Sequence, residues 1–198
     1  MPASHIYLAS ASPRRSELLR QIGVAHLVRV APVDETAHPD ESPVDYVRRL
    51  ALAKAEAGWQ AFAAGEDRPL LAADTTVALG AEVIGKPGDR REAIAMLTRL
   101  SGREHEVHTA VALRHAGGTG VAISSSRVSF RELHAGEAER YWASGEPADK
   151  AGAYAIQGFG AVFVRRLEGS YSGVMGLPLY ETWELLVPVL GLNGTAPR

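Results

Sequence analysis

Two arginines stand directly after a serine and a proline in the segment Ser10–Arg15. Ser12 as N-cap and Pro13 at the first helical position predict that a helix begins here. Cations at a helix N-terminus are unfavourable by about 0.3–1 kcal/mol each, whereas a bound anion is stabilised there. The segment is therefore either a phosphate site, in which hydroxyls, free N–H groups and the guanidinium groups of Arg14 and Arg15 act together, or a helix start with two solvated arginines.

A second candidate site is the carboxylate of Asp74. It closes the apolar run Leu71–Ala73 and is followed by two hydroxyl residues, Thr75 and Thr76. An aspartate at the end of a strand can bind a divalent cation or act as a general base. It can equally cap a turn, and the residues alone leave these interpretations open.

A third segment almost matches a phosphate-binding loop, with Gly80, four intervening residues, and then Gly85, Lys86 and Pro87. The match fails at Pro87, which has no hydroxyl for a magnesium ion and no N–H for a phosphate, so we reject a P-loop nucleoside triphosphatase. Lys86 is then either a point charge beside a phosphate or a solvated hairpin lysine. The glycine-rich segment Asp149–Gly160 lets backbone approach a ligand, but it is no dinucleotide-binding fingerprint.

Two histidines, His105 and His108, lie three residues apart in a predicted strand. Alternation along a strand places them on opposite faces, which excludes a metal pair. We expect both at the protein surface.

Helical and strand patterns intermix along the chain and predict a mixed α/β fold. The predicted strands are His5–Ser10, Leu70–Leu79, Glu82–Ile84, Glu106–Arg114, Val121–Leu133 and Ala161–Arg166. The predicted helices are 13–22, 43–63, 90–101, Ala135–Ser144 and Leu179–Leu190. Within Val121–Leu133, the first apolar residues are out of phase with Val128 and Phe130, which predicts a β-bulge at Ser124–Ser126.

The composition is that of an ordinary globular protein, with 198 residues, 46% hydrophobic residues and a net charge of −2. The near-neutral charge argues against binding of a nucleic-acid polymer. The chain has no cysteine, which excludes a disulfide framework, a thiolate zinc site and a cysteine nucleophile. Without a signal-like or membrane-spanning apolar run, we expect a cytoplasmic protein with no membrane association, and a single domain over residues 1–198.

Six segments in order resemble motifs of the Maf family of nucleotide pyrophosphatases. They are Leu8–Leu19, Ala73–Thr76, Gly85–Pro87, Leu100–Gly102 together with His105 and Thr109–Val111, Asp149–Gly158, and Gly176–Leu179. The resemblance implies hydrolysis of a nucleoside triphosphate between its α and β phosphates, with a divalent metal cation, Mg²⁺ or Mn²⁺, as cofactor. It also implies an elongated, two-lobed mixed sheet flanked by helices, similar to inosine triphosphate pyrophosphatases, with a cleft between lobes that share one core.

The same resemblance assigns roles to individual residues. Asp74 matches the catalytic aspartate, as base, metal ligand or both, and Glu35 matches a second metal-site carboxylate. The residues that match substrate-binding positions are Ser10, Arg14, Arg15, Lys54, Thr75, Lys86 and Gln157. A homodimer is an expectation from the family only.

The residues at Arg14, Thr75 and Gln157 resemble those of the branch that acts on dTTP and UTP. The amide of Gln157 suits uracil and thymine, because it can accept from the N3–H donor and donate to a neighbouring carbonyl. The alternatives are an inosine, xanthosine or 7-methyl-GTP pyrophosphatase, or a nucleotide-binding regulator of septum formation.

Overall fold

A mixed sheet of seven strands forms the centre of the computed structural model, which describes residues 6–63, 65–66 and 68–192. The strands are β1 (Ile6–Leu8), β2 (His26–Val28), β3 (Leu70–Leu79), β4 (Glu82–Ile84), β5 (Glu104–His115), β6 (Gly118–Phe130) and β7 (Val164–Glu168). Their order is β2-β1-β3-β5-β6-β7, and β4 pairs with β3 outside this path. The β2-β1-β3 pairs are parallel and the remaining pairs are antiparallel, so the predicted mixed α/β class is confirmed.

Six α-helices cover the two faces of the sheet in the described part of the chain. They are α1 (Pro13–Gln21), α2 (Pro43–Gly58), α3 (Arg90–Leu100), α4 (Glu137–Ala143), α5 (Tyr171–Met175) and α6 (Leu179–Leu190). A π-helical turn, Trp59–Ala63, extends α2 to the end predicted for it. Short 3₁₀ turns occupy Glu146–Asp149, Ala151–Ala153 and Phe159–Phe163. None of the helices described is long and apolar enough to cross a membrane.

The polar residues that precede the helices have different roles. The hydroxyl of Ser42 accepts from the third residue of its helix, Asp45 N, at 3.1 Å, as an N-cap does. Asp89 likewise accepts from Glu92 N at 2.8 Å. Ser12 stands at the N-cap of α1, but its side chain makes no capping hydrogen bond. The first turn of α1 therefore has no side-chain cap, which suits a site for an external anion.

The core consists of two lobes joined by the long strands. Around β1 and the first half of β3, apolar residues pack against α2 on one face and against α1 and α6 on the other. Toward the other end of β5 and β6, a third cluster packs beneath α3 and α4. One end of the sheet is thus covered on both faces, and the other end is covered by a different pair of helices.

The packing of β6 accounts for the apolar pattern that predicted a bulge. The β5–β6 register runs without interruption through Ser124–Ser126, so that prediction is wrong. Val121 packs on the α2 side, whereas Val128 and Phe130 belong to the cluster beneath α3 and α4. The apolar phase changes because α2 packs on its face of this regular strand near Val121, whereas Val128 and Phe130 lie on the opposite face, beneath α3 and α4. An irregularity does occur at Ser129–Phe130, in the pairing with β7.

The expectation that His105 and His108 lie at the surface is also wrong. They are on opposite faces as predicted, but they are only 2% and 4% exposed. Each ring has one hydroxyl partner, since Nε2 of His105 lies 2.9 Å from the Tyr154 hydroxyl and Nδ1 of His108 lies 2.8 Å from Ser125 Oγ. The other ring nitrogen of His105, Nδ1, is buried and has no hydrogen-bond partner among the described residues. Burial lowers the pKa of His105 to about 4, so the imidazole is neutral in the core.

Some predicted helices and strands also differ from the observed ones, at segments that are too short to carry a periodic pattern. Two short elements, the strand β2 and the five-residue helix α5, were not predicted from the sequence. The predicted strand Ala161–Arg166 begins as a 3₁₀ turn and becomes extended at Val164. The predicted first strand ends at Leu8 rather than Ser10, and His5 lies outside the described residues.

Candidate active site

A cleft of about 730 Å³ lies between the two lobes. Its walls come from the start of α1, the segment 30–35, the middle of β3, the β4–α3 connection, the segment 149–157 and α5. All the site residues predicted from the sequence line it, namely Ser10, Arg14, Arg15, Glu35, Lys54, Asp74, Thr75, Lys86 and Gln157. The fold therefore brings together side chains that are up to 147 positions apart (157 − 10).

The ammonium of Lys54 lies between two carboxylates. Its Nζ atom is 2.6 Å from Asp74 Oδ1 and 2.6 Å from Glu35 Oε1. Asp74 is 7% exposed, and the three side chains come from α2, β3 and the segment that precedes α2. Two carboxylates thus share one cation at the wall of the cleft.

The two carboxylates differ in proton affinity. Burial raises the pKa of Asp74, although the charge and hydrogen bond of Lys54 oppose the rise. Burial also raises the pKa of Glu35, but the hydrogen bond and charge of Lys54, with the charges of Lys86 and Arg15, hold it below its usual value. Asp74 is consequently the more suitable of the two to take up a proton.

Alternation along β3 explains why Asp74 faces Lys54. Leu70 and Ala72 pack on the α2 side of the sheet, so Asp74 projects to that same side, where Lys54 on α2 meets it. Thr75 projects to the opposite side, toward α1 and α5. Consecutive residues of one strand therefore serve the two faces of the sheet at the cleft.

The guanidinium of Arg15 links separate segments. Its Nη1 donates to Ser10 Oγ at 3.0 Å, its Nη2 donates to Thr75 Oγ1 at 3.1 Å, and its Nε donates to the Gly176 carbonyl at 2.7 Å. Thr75 in turn lies 2.9 Å from the hydroxyl of Thr109. Arg15 brings positive charge to the cleft, but these protein groups fix its orientation before any ligand binds.

Arg14 is held more loosely. Its Nη1 lies 3.3 Å from Asp149 Oδ2, and Asp149 is on the opposite lobe with a side chain that is 63% exposed. An exposed pair of this kind contributes little to stability, so a phosphate can replace the carboxylate on Arg14 at small cost. Lys86 and Lys150 also line the cleft, which therefore contains five basic side chains against the three carboxylates of Glu35, Asp74 and Asp149.

Gln157 is exposed at the cleft, in a turn closed by a hydrogen bond from Gly158 N to the Ala155 carbonyl. Its side-chain amide makes no hydrogen bond to the rest of the described chain, so it is available to a ligand. Apolar side chains form the adjoining wall, including Val77, Val107, Tyr154, Ile156 and Met175. An amide beside an apolar wall suits a flat ring with polar edges.

Sequence reasoning missed three participants. The hydroxyl of Thr109 accepts a hydrogen bond from the Thr75 hydroxyl and donates one to the Gly173 carbonyl at 2.8 Å. The Gly176 carbonyl accepts a hydrogen bond from Arg15. Thr109 belongs to a motif used for the resemblance, but nothing in the spacing of that motif indicates which side chain Thr109 meets. Two of the three partners are backbone carbonyls, which no sequence pattern identifies.

The fold and the cleft define a class of protein, namely α/β proteins with a mixed sheet and a basic cleft between two lobes. The Ham1 protein of Staphylococcus aureus has a similar fold, with a TM-score of 0.51 and 13% identity over 96% of this chain and 98% of that one. This likeness concerns the fold alone. The chain belongs to the Maf family, because the sequence model of that family, described as Maf-like protein, matches residues 5–189.

Curated relatives are similar over most of their length. The protein of Bordetella parapertussis is 57% identical over 187 residues, which cover 91% of this chain and 90% of the relative. The proteins of Nitrosomonas europaea and Chromobacterium violaceum are 52% and 53% identical, and each alignment covers at least 91% of both chains. All three relatives are named dTTP/UTP pyrophosphatase.

Proposed function

We propose that this protein hydrolyses dTTP and UTP to the nucleoside monophosphate and pyrophosphate, and that the cleft is its active site. The observation that carries the proposal is the position of the buried Asp74 carboxylate beside Lys54, within a cleft that also holds Arg14, Arg15 and Lys86. The names of relatives that are more than half identical support the same substrates.

The cations and the helix start suit the triphosphate. The N-terminus of α1, which has no side-chain cap, offers backbone N–H donors to phosphate oxygens. The guanidinium of Arg14 offers further donors when a phosphate replaces its partner, the Asp149 carboxylate. Lys86 adds a point charge, and Arg15 adds a charge whose direction the protein has already fixed. Such preorganised charges stabilise the negative charge that develops when the bond between the α and β phosphates breaks.

Asp74 and Glu35 would hold the divalent cation, Mg²⁺ or Mn²⁺. The donor set fits, because two carboxylates already lie on either side of one cationic atom at 2.6 Å, and oxygen ligands are those that these metals prefer. In the described residues, no group of three or more acidic, histidine or cysteine side chains could hold a metal ion. One or two carboxylates completed by substrate phosphates are an ordinary arrangement for magnesium. When bound, the metal would neutralise phosphate charge and make water more acidic.

Asp74 would also accept the proton of the attacking water. The water oxygen forms a bond to phosphorus, the bridging oxygen between the α and β phosphates leaves with pyrophosphate, and the proton passes to the carboxylate. Burial raises the pKa of Asp74, which favours this uptake. Lys54 orients the carboxylate and keeps it ionised before the reaction.

Gln157 would read the base against the apolar wall that includes Tyr154 and Met175. Uracil and thymine both present an N3–H donor beside a carbonyl, and one amide can pair with both groups. Cytosine presents an amino group and an unprotonated N3 instead. The proposed site therefore favours UTP and dTTP over CTP.

A substrate panel tests the proposal. Purified protein is assayed for pyrophosphate release from UTP, dTTP, CTP, ITP and 7-methyl-GTP, with Mg²⁺ or Mn²⁺ and with the D74N variant as control. The expected result is the highest kcat/KM for UTP and dTTP. A preference for ITP or 7-methyl-GTP would identify one of the alternative pyrophosphatases. Tight UTP binding without turnover would identify a nucleotide-binding regulator.

A further inference from the structure

Two side chains outside the cleft hold the segment that carries Gln157. Glu146 accepts hydrogen bonds from the backbone N–H groups of Phe159 at 3.0 Å and Gly160 at 3.1 Å, and the Tyr141 hydroxyl donates to the same carboxylate at 2.6 Å. Both backbone groups lie just after Gln157. Neither Glu146 nor Tyr141 lines the cleft, so any influence they have on a ligand passes through this backbone.

The same tyrosine also holds the segment just before Gln157. Its hydroxyl accepts from the buried N–H of Ala155 at 3.0 Å. The hydroxyl of Tyr141 thus donates to Glu146 and accepts from the other side of the turn. Gln157 therefore stands in the middle of a turn that is fixed at both ends, although its own side chain is free to meet a base.

The packing leaves little room for the turn to move. A Cβ atom on Gly160 would lie 2.7 Å from the Tyr141 hydroxyl and 2.7 Å from the Ala155 carbonyl oxygen, and a Cβ on Gly158 would overlap the Glu146 carboxylate. Tyr141 itself is buried and packs edge to face on Phe163, with 5.1 Å between ring centroids. The two side chains are therefore in direct contact with the backbone that they hold.

We propose that Tyr141 and Glu146 are positioning residues that set base selectivity by fixing the direction of Gln157. This inference rests on the proposed function, in which Gln157 reads the pyrimidine edge. The conformation of the turn sets where the amide of Gln157 lies and how it enters the cleft, so a turn held on both sides presents the amide to the pyrimidine edge in one geometry. A carboxylate is suited to this role, because as a pure acceptor it can receive three donors at once.

The test uses two substitutions and a matched control. E146Q places an NH₂ group against one of the two backbone N–H donors, which bind different carboxylate oxygens, and Y141F removes the hydroxyl while the ring packing remains. E137Q is the control, since Glu137 lies on α4 and likewise accepts a backbone N–H, that of His134, together with Arg131. Its contacts lie outside the cleft.

We expect the UTP to CTP ratio of kcat/KM to fall roughly threefold to tenfold in E146Q and in Y141F, as the loss of one or two hydrogen bonds allows. The change should reside in the KM for UTP, since neither residue reaches the phosphates, and kcat should stay within about twofold. Amide exchange at Phe159 and Gly160 should accelerate. E137Q should keep the wild-type ratio even if it melts earlier.

An unchanged ratio in folded E146Q and folded Y141F, with a wild type that prefers UTP and a Q157A variant that loses this preference, would overturn the inference and leave the proposed function intact. The inference is also overturned if E146Q and Y141F lose thermal stability as E137Q does but keep the wild-type UTP to CTP ratio. A wild type that does not hydrolyse UTP, or does not prefer it to CTP, overturns the proposed function and this inference with it.

Discussion

Lys54 Nζ lies 2.6 Å from Asp74 Oδ1, so α2 places a positive charge directly against the buried carboxylate of β3. This contact offsets the cost of burying the Asp74 charge, because an unpaired buried carboxylate is expensive. It also keeps the carboxylate at the cleft wall, where a substrate phosphate and a metal can reach it. The ion pair therefore belongs to the proposed chemistry as much as to the fold.

We predict that D74N lowers turnover of UTP at least about 100-fold while the protein stays folded. Asparagine keeps the shape of the side chain but can neither take a proton nor pair as a charge, and Lys54 retains Glu35 as its partner. Steady-state kinetics and thermal melting measure the two effects. Turnover within about tenfold of wild type would remove Asp74 from the catalytic role.

Glu35 is expected to act through the metal. E35Q should raise the Mg²⁺ concentration for half-maximal activity by about tenfold or more, since the site loses one of two protein carboxylates. E41Q is a matched control, because Glu41 is also paired with a basic side chain, Arg49, but lies outside the cleft. Metal titrations that superimpose for all three proteins would rule out Glu35 as a ligand.

Arg14 should contribute to activity and not to stability. R14A removes only an ion pair with the exposed Asp149, which is worth about 0–1 kcal/mol, and it relieves a cation at the start of a helix. We expect kcat/KM for UTP to fall at least about tenfold with an almost unchanged free energy of unfolding. K86A should behave in the same way. A large loss of stability with normal kinetics would make Arg14 a structural residue.

Arg15 should contribute both to activity and to stability. R15A breaks hydrogen bonds to Ser10, Thr75 and the Gly176 carbonyl, so we expect a loss of about 1–3 kcal/mol in the free energy of unfolding together with lower activity. R15K keeps the charge but not the planar fork, and should recover little of the stability. Urea denaturation distinguishes these variants from R14A. Wild-type stability in R15A would show that the contacts are incidental.

Burial of His105 predicts a pH-dependent stability. The unfolded chain protonates this histidine near pH 6.5, whereas its pKa in the folded protein is about 4. The unfolded state therefore binds more protons between these values, and the free energy of unfolding falls as the pH drops from about 6.5 to about 4, by on the order of 3 kcal/mol in total. H105Q should lose this part of the dependence, because glutamine does not titrate.

Urea denaturation across that pH range, for wild type, H105Q and the exposed-site control H134Q, measures the effect. The curves for wild type and H134Q should run parallel, and the curve for H105Q should be flatter. Three parallel curves would show that the folded state protonates His105 at its ordinary pKa.

The sequence was sufficient to place the main site residues on their elements. The strand Leu70–Leu79 and the helix that begins at Pro13 are local patterns, and both elements form as predicted. Asp74, however, lies in the middle of that strand and not at its end. Which partners these elements bring together depends on tertiary packing. Arg15 meets the carbonyl of Gly176, 161 residues away, and no local pattern encodes that contact.

The wrong predictions have a common physical origin. Val121 packs on the α2 side of its regular strand, whereas Val128 packs on the opposite face beneath α3 and α4, and this change gives the same sequence pattern as a bulge. His105 and His108 are buried because the assembled sheet covers them, and each ring has one hydroxyl partner on another segment. Burial of this kind follows from the assembled sheet and has no signal in the neighbouring residues.

The most direct test of the central claim is to identify the products of UTP hydrolysis by phosphorus NMR, for wild type and for D74N. The proposed site cuts between the α and β phosphates, so the wild-type spectra should show UMP and pyrophosphate appearing in equal amounts, with Asp74 required for both. Formation of UDP and inorganic phosphate, or equal conversion by D74N, would contradict the account.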